Sequence, residues 1–187
     1  MKKWLVVVMV LCFTSVLMAE GLVVGSPEWN KQKKVLWDEY MKYKVAVDDT
    51  SHAPLDIQIE TQQKKLMAAD KLVEFGDRLP VVQGIAAWQY NNTGKLYINT
   101  FESYSGWSSI IKKLEATTDR ATRKTLKAEL YEKAKQHLTF LEQAAVYLEK
   151  AKELNLLSPD DTRTQKITNN LAYVNTVKAW LDSYKEE

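Results

Sequence analysis

The chain of 187 residues contains two histidines, and they are the first places to look for chemistry. His52 stands with Asp48, Asp49 and Ser51, the residue types of a hydrolytic triad or a hard-cation site. A triad works only when nucleophile, base and orienting acid are fixed by separate rigid elements. Neighbours within one polar stretch read instead as a solvated turn, since Asp, Ser and Thr are ordinary turn formers. His137 falls on an apolar seam, where it could ligate a metal or a haem iron, with Met41 or Met67 as a second axial ligand. No second histidine lies at a ligand spacing, and no Glu-x-x-His pattern accompanies it. His137 therefore reads as a packing histidine first, and a cofactor- or metal-binding bundle built on it stays as an alternative.

The densest chemical feature is aromatic. Trp88, Tyr90, Tyr97, Phe101, Tyr104 and Trp107 fall within twenty residues around Asn91-Asn92-Thr93-Gly94. Tyrosine and tryptophan combine a broad apolar surface with one polar tip, which suits a half-buried site for a peptide, a partner protein or a small hydrophobic ligand. The competing reading is that an aromatic stripe at helical spacing packs a core. Asn91-Asn92-Thr93 also matches the acceptor pattern for N-glycosylation, a short motif that is common by chance.

These residues need helices to position them. Ser26-Pro27-Glu28 is a helix start: a serine cap, proline at the first helical position and an acid at the positive end of the dipole. A first helix is expected to about Val47, with Trp29, Leu36 or Trp37, Tyr40, Met41 and Val45 inward. A second should open at Pro54 and run through Leu66, Met67, Leu72, Val73 and Phe75 to about Leu79, where Pro80 imposes a break. A short piece from Val81 to Tyr90 follows, then a turn at Asn91 to Gly94 that could alternatively be the tip of a hairpin near 88–101. The spacing favours a helix over 95–115, in which Gly106 would cost about 1 kcal/mol relative to alanine.

Beyond a turn near Thr117 to Asp119, Leu130, Ala134, His137, Leu141, Ala144, Leu148 and Ala151 form one seam of a helix from about 120 to 154. Asn155 suits a left-handed cap with Leu156 folding back on the last turn. Ser158-Pro159-Asp160-Asp161 repeats the start signal, and a last helix should reach about Tyr184 through Ile167, Leu171, Val174, Val177 or Lys178, and Leu181. The expected fold is all-α, an antiparallel bundle of about five helices.

Residues 1–19 have the anatomy of a cleavable secretory signal: Lys2 and Lys3, an apolar run from Trp4, and a small residue at Ala19. Glu20 and Gly21 end the run short of the ~20 apolar residues a membrane span needs. Membrane attachment is expected only if the segment is retained. Leu11, before Cys12, is too bulky for a lipoprotein signal. Cleavage would leave residues 20–187 as a single domain, large enough for its own core. It would also remove two of the 26 basic residues and none of the 24 acidic ones, leaving 24 of each. A chain without net positive charge has no counterion-release term to drive nucleic-acid binding. Cys12 is the only cysteine, so the remaining domain would lack disulfides, thiolate metal sites and thiol chemistry. The expectation is an exported, non-enzymatic, cofactor-free binding protein of open oligomeric state, extracytoplasmic (periplasmic or secreted). The six aromatics from Trp88 to Trp107 are its site, and a structural protein forming helical oligomers is a further alternative.

Overall fold

The computed structural model describes residues 22–76 and 80–184. The segment 1–19 lies outside them. The described chain is all-helical, with seven helices: α1 Pro27–Asp49, α2 Leu55–Glu74, α3 Pro80–Ser105, α4 Trp107–Ala116, α5 Arg120–Gln136, α6 Leu138–Leu154 and α7 Thr162–Tyr184. No described helix is long and apolar enough to cross a membrane.

The start signals act as their chemistry requires. The Ser26 side chain accepts from the Trp29 N–H at 3.1 Å, and Asp119 accepts from the Thr122 N–H at 2.7 Å, each satisfying an otherwise orphaned first-turn donor. Before α7 the capping falls later than Ser158. Asp161 takes the Arg163 N–H at 2.8 Å, and the helix begins at Thr162. Asn155 is extended (φ −76°, ψ 116°), not left-handed, and its amide donates to Thr164 across the turn at 2.7 Å. With no left-handed turn to direct it back, Leu156 stays exposed.

Helix α3 is the axis of the molecule, and its interface with α6 is the most extensive. Here the expected turn at Asn91 to Gly94, and with it the hairpin tip, is overturned: α3 passes through all four residues without interruption. The physical reason is packing. A Cβ on Gly94 would lie 2.7 Å from Leu148 Cγ and 3.3 Å from the Ala144 carbonyl, so the glycine lets the α3 and α6 backbones approach where a side chain would hold them apart. Thr93 returns its hydroxyl to the Gln89 carbonyl at 2.9 Å, and Asn91 accepts from Asn170 of α7 at 3.0 Å. Asn91 is thus buried and engaged, and the glycosylation pattern does not lie on the surface.

Three further breaks differ from expectation. Helix α2 stops at Glu74, followed by Gly76 at φ +88°, a left-handed exit that glycine adopts freely. The single helix expected over 95–115 is divided at Gly106 (φ +64°), where the Ser105 hydroxyl bridges the Phe101 carbonyl (2.6 Å) and the Trp107 N–H (3.2 Å). The expected helix over 120–154 is divided at His137 (φ −113°, ψ 13°). Its seam nevertheless survives: Leu130, Ala134, Leu141, Ala144, Leu148 and Ala151 are all buried.

Two cores result. The larger gathers Ile98, Phe101, Trp107, Ile110 and Leu114 with the α5–α6 seam and with Leu171, Val174, Val177 and Leu181 of α7. The smaller gathers Tyr40, Ala68, Ala69, Leu72, Val82 and Ala86 beneath α1. Because α1 packs on α2 as its principal neighbour, it buries only a narrow stripe, and Met41 and Val45 point to solvent instead of inward as expected. Met67 does the same on α2. Neither methionine is therefore placed to be an axial ligand in a core.

Candidate functional site

The six aromatics singled out in the sequence do not form one cluster. Five of them divide by their angular position on α3, where each residue advances about 100°, and Trp107 opens α4. Phe101 turns inward and meets Trp107 at a centroid separation of 5.9 Å; Trp107 meets Trp180 edge to face at 5.2 Å. Both belong to the larger core. Trp88, two residues and about 200° before Tyr90, faces away and lies under the Lys166 ammonium of α7 at 5.7 Å.

The remaining three, Tyr90, Tyr97 and Tyr104, recur every seven residues and form a stripe in the crevice between α3 and α6. Helix α6 answers with Tyr147, Phe140 and, at its start, His137. The rings make an unbroken ladder. Tyr90 and Tyr147 are 6.2 Å apart, Tyr147 and Tyr97 stack at 5.5 Å, and Tyr97 and Phe140 are 6.4 Å apart. Phe140 meets Tyr104 at 5.8 Å, and Tyr104 meets His137 at 5.6 Å. Contacts run from 90 to 104 on one helix as they run from 147 to 137 on the other, so the two helices are antiparallel. Tyr104 is 53% exposed and the other five rings are half-buried. The ladder is therefore a surface feature lying over the core.

Helix α2 supplies the polar edge of the strip. Gln63 donates to the Tyr97 hydroxyl at 3.0 Å and to the Tyr147 hydroxyl at 3.4 Å. Tyr90 donates to Asp70 Oδ2 at 2.8 Å. Burial pushes the Asp70 carboxyl up to about 6, and neighbouring Glu74 adds to the rise; the Tyr90 bond and the Lys150 charge oppose it. Burial, reinforced by Asp70, holds the Tyr90 phenol well above its ordinary range. Burial also pushes Tyr97 up to about 12, with Tyr147 contributing. These phenols stay protonated and can donate hydrogen bonds at neutral pH. Beside them an open groove of about 720 Å³ is lined by Tyr90, Ala145, Val146, Tyr147, Glu149, Lys150 and Glu153.

Of the two histidine candidates, one lies apart from this strip and one ends it. His52 and Ser51 are exposed on the α1–α2 turn, and Asp48 and Asp49 are exposed at the end of α1. His137 is half-buried at the α5–α6 break, with Phe140 and Tyr104 beside it. Among the described residues, no three His, Cys, Asp or Glu side chains come together to hold a metal ion.

Phe140, Tyr147, Gln63 and Asp70 were not expected in the site. Phe140 and Tyr147 carried a legible signal, since they stand seven apart and flank the Leu141, Ala144 and Leu148 seam. Asp70, followed by Lys71, carried none. Gln63 had none. Comparison with protein-family models, with curated proteins and with solved structures finds no match.

Proposed function

We propose that this is an exported, non-enzymatic binding protein whose tyrosine strip between α3 and α6 is the docking face for an extended peptide segment of a partner protein. The observation that carries the reading is the unbroken ladder of six rings, open along its outer edge. Packing alone has no need of Tyr104 and Val146, which are 53% and 64% exposed at that edge. Fourteen residues of helix from Tyr90 to Tyr104 give the strip a length of about 21 Å. An extended segment of about seven residues spans the same distance. Tyrosine supplies contact area at little cost in side-chain entropy and adds hydrogen-bonding tips, the combination found where peptides are gripped. The basic and apolar pattern of residues 1–19 supports export.

The test is selection of displayed random heptapeptides on the purified protein, followed by affinity measurement on Tyr104→Glu and Val146→Asp. Both positions are exposed, so these changes leave the cores intact. Selected peptides should lose most of their affinity for both variants. Selection of no peptide above background, or of peptides indifferent to both changes, would refute the reading.

A further inference from the structure

We infer that the Asp70 end of the strip selects a basic side chain, so that the docked segment carries a lysine or arginine over Tyr90 and Tyr147. This deepens the peptide-binding reading and rests on it. Three observations carry it. The groove beside Tyr90 and Tyr147 has an aromatic and aliphatic floor, completed by Ala145 and Val146. Faces of tyrosine rings attract cations through their quadrupole, and more strongly where water is excluded.

The rim of that groove is acidic. Among the described residues, Glu149, Glu153 and the cation Lys150 line it on α6, and on the α2 side Tyr90 bonds Asp70, whose carboxyl also feels Glu74 and Lys150. Among the described residues, these four carboxylates and one ammonium leave an excess of three negative charges when all are ionised. Lys150 is already engaged, its ammonium lying 2.9 Å from Glu153. A concave site lined by one sign of charge concentrates the opposite sign there.

The third observation is the state of Asp70. Its Oδ2 takes the Tyr90 hydroxyl at 2.8 Å, and the carboxyl is half-buried beside Glu74. A half-buried carboxylate beside a second carboxylate is a costly arrangement that an added positive charge relieves. An ammonium or guanidinium laid across Tyr90 would meet that carboxylate with a charge-assisted bond and place its positive charge over the rings. A neutral or acidic side chain at the same place gains neither. Tyr97, Phe140 and Tyr104 then take the apolar residues that follow.

The same displayed heptapeptide library tests this, selected in parallel on the wild-type protein and on Asp70→Asn. The variant keeps an acceptor for Tyr90 and removes the charge. Its fold is checked by circular dichroism and by its melting transition. Peptides selected on the wild type should be enriched in lysine or arginine at one fixed position. Replacing that residue by norleucine or citrulline should weaken binding about tenfold or more, and Asp70→Asn should do the same. The variant's own selection should lose the basic preference. Peptides that depend on Tyr104 and Val146 but show no basic preference, or an acidic one directed at Lys150, would overturn the inference and leave the docking face standing. A library yielding no strip-dependent peptide would overturn both.

Discussion

Asp70→Asn should stabilise the protein at neutral pH, and the effect should switch on with rising pH. Burial raises the Asp70 carboxyl from an ordinary 3.8 to about 6 in the folded chain. Below about pH 4 the group is protonated in both folded and unfolded states, and the raised value contributes its full stability there. As pH rises through 6 the folded state must hold a buried carboxylate while the unfolded chain holds a solvated one, so that contribution is lost. The rise corresponds to about 3 kcal/mol between the two protonation states. The Tyr90 hydroxyl and Lys150 offset part of the charge burial already, and an asparagine must place an amide where Oδ1 now lies. A net gain of about 2 kcal/mol at pH 7 is therefore expected. The measurement is urea unfolding of both proteins from pH 4 to 8, taken as the difference between them. Subtraction cancels Asp119, Glu129 and Asp161, whose carboxyls are held low by the Thr122, Lys133 and Arg163 contacts and which act in the opposite direction. The difference should be small at pH 4, rise around pH 5 to 6 and level off above. A flat difference, or one in which the variant loses stability as pH rises, would refute the argument from burial.

Three further outcomes follow from particular contacts. Gly94→Ala places a methyl 2.7 Å from Leu148 Cγ and should destabilise by about 1–3 kcal/mol in denaturant unfolding; combining it with Leu148→Ala should give less than the sum of the two single losses. Gly106→Ala meets open space but puts a Cβ at φ +64°, so it should cost about 1–2 kcal/mol from backbone strain alone, with no rescue by a neighbouring truncation. Binding of a basic heptapeptide should weaken as pH falls through about 6, because Asp70 takes up a proton there; Glu74, Lys150 and Tyr90 face the same carboxyl, and Asp70→Asn should abolish that step in a titration by calorimetry.

What the sequence disclosed and what it hid divide along a physical line. Apolar periodicity reports which face of a helix is buried, and the seams through Leu130 to Ala151 and Ile167 to Leu181 were legible because every third or fourth residue repeats the message. A kink that preserves the seam leaves no trace in that signal. The α5 and α6 seams join across His137 with the same three- and four-residue steps an unbroken helix would show. Asn91 to Gly94 misled for the opposite reason. Polar and small residues in series have the composition of a turn, yet here they are what a tight crossing needs, and the need is set by Leu148 and Asn170, which lie far away in the chain. Composition marks Gly106 only as a cost within a helix, whereas its left-handed conformation ends one.

The aromatic site was half legible for a related reason. Nearness in sequence grouped six residues that α3 and the start of α4 turn in different directions; only the seven-residue interval of Tyr90, Tyr97 and Tyr104 marks a shared stripe. Seven residues fall about 20° short of two turns, so that stripe rotates by about 40° between Tyr90 and Tyr104. Tyr90 and Tyr97 stay half-buried against α2, bonded to Asp70 and Gln63, and Tyr104 ends exposed. The two ends of the strip should therefore do different work. Truncating Tyr104 to alanine removes contact area from whatever docks and should weaken basic and neutral peptides by the same factor. Changing Asp70 removes a charge that only a cation meets, so it should weaken basic peptides and leave neutral ones unchanged. Measuring both variants against a matched pair, one peptide carrying arginine and the other citrulline at the same position, separates the two effects. If Tyr104→Ala discriminated between the peptides and Asp70→Asn did not, the assignment of charge recognition to the α2 edge would be wrong.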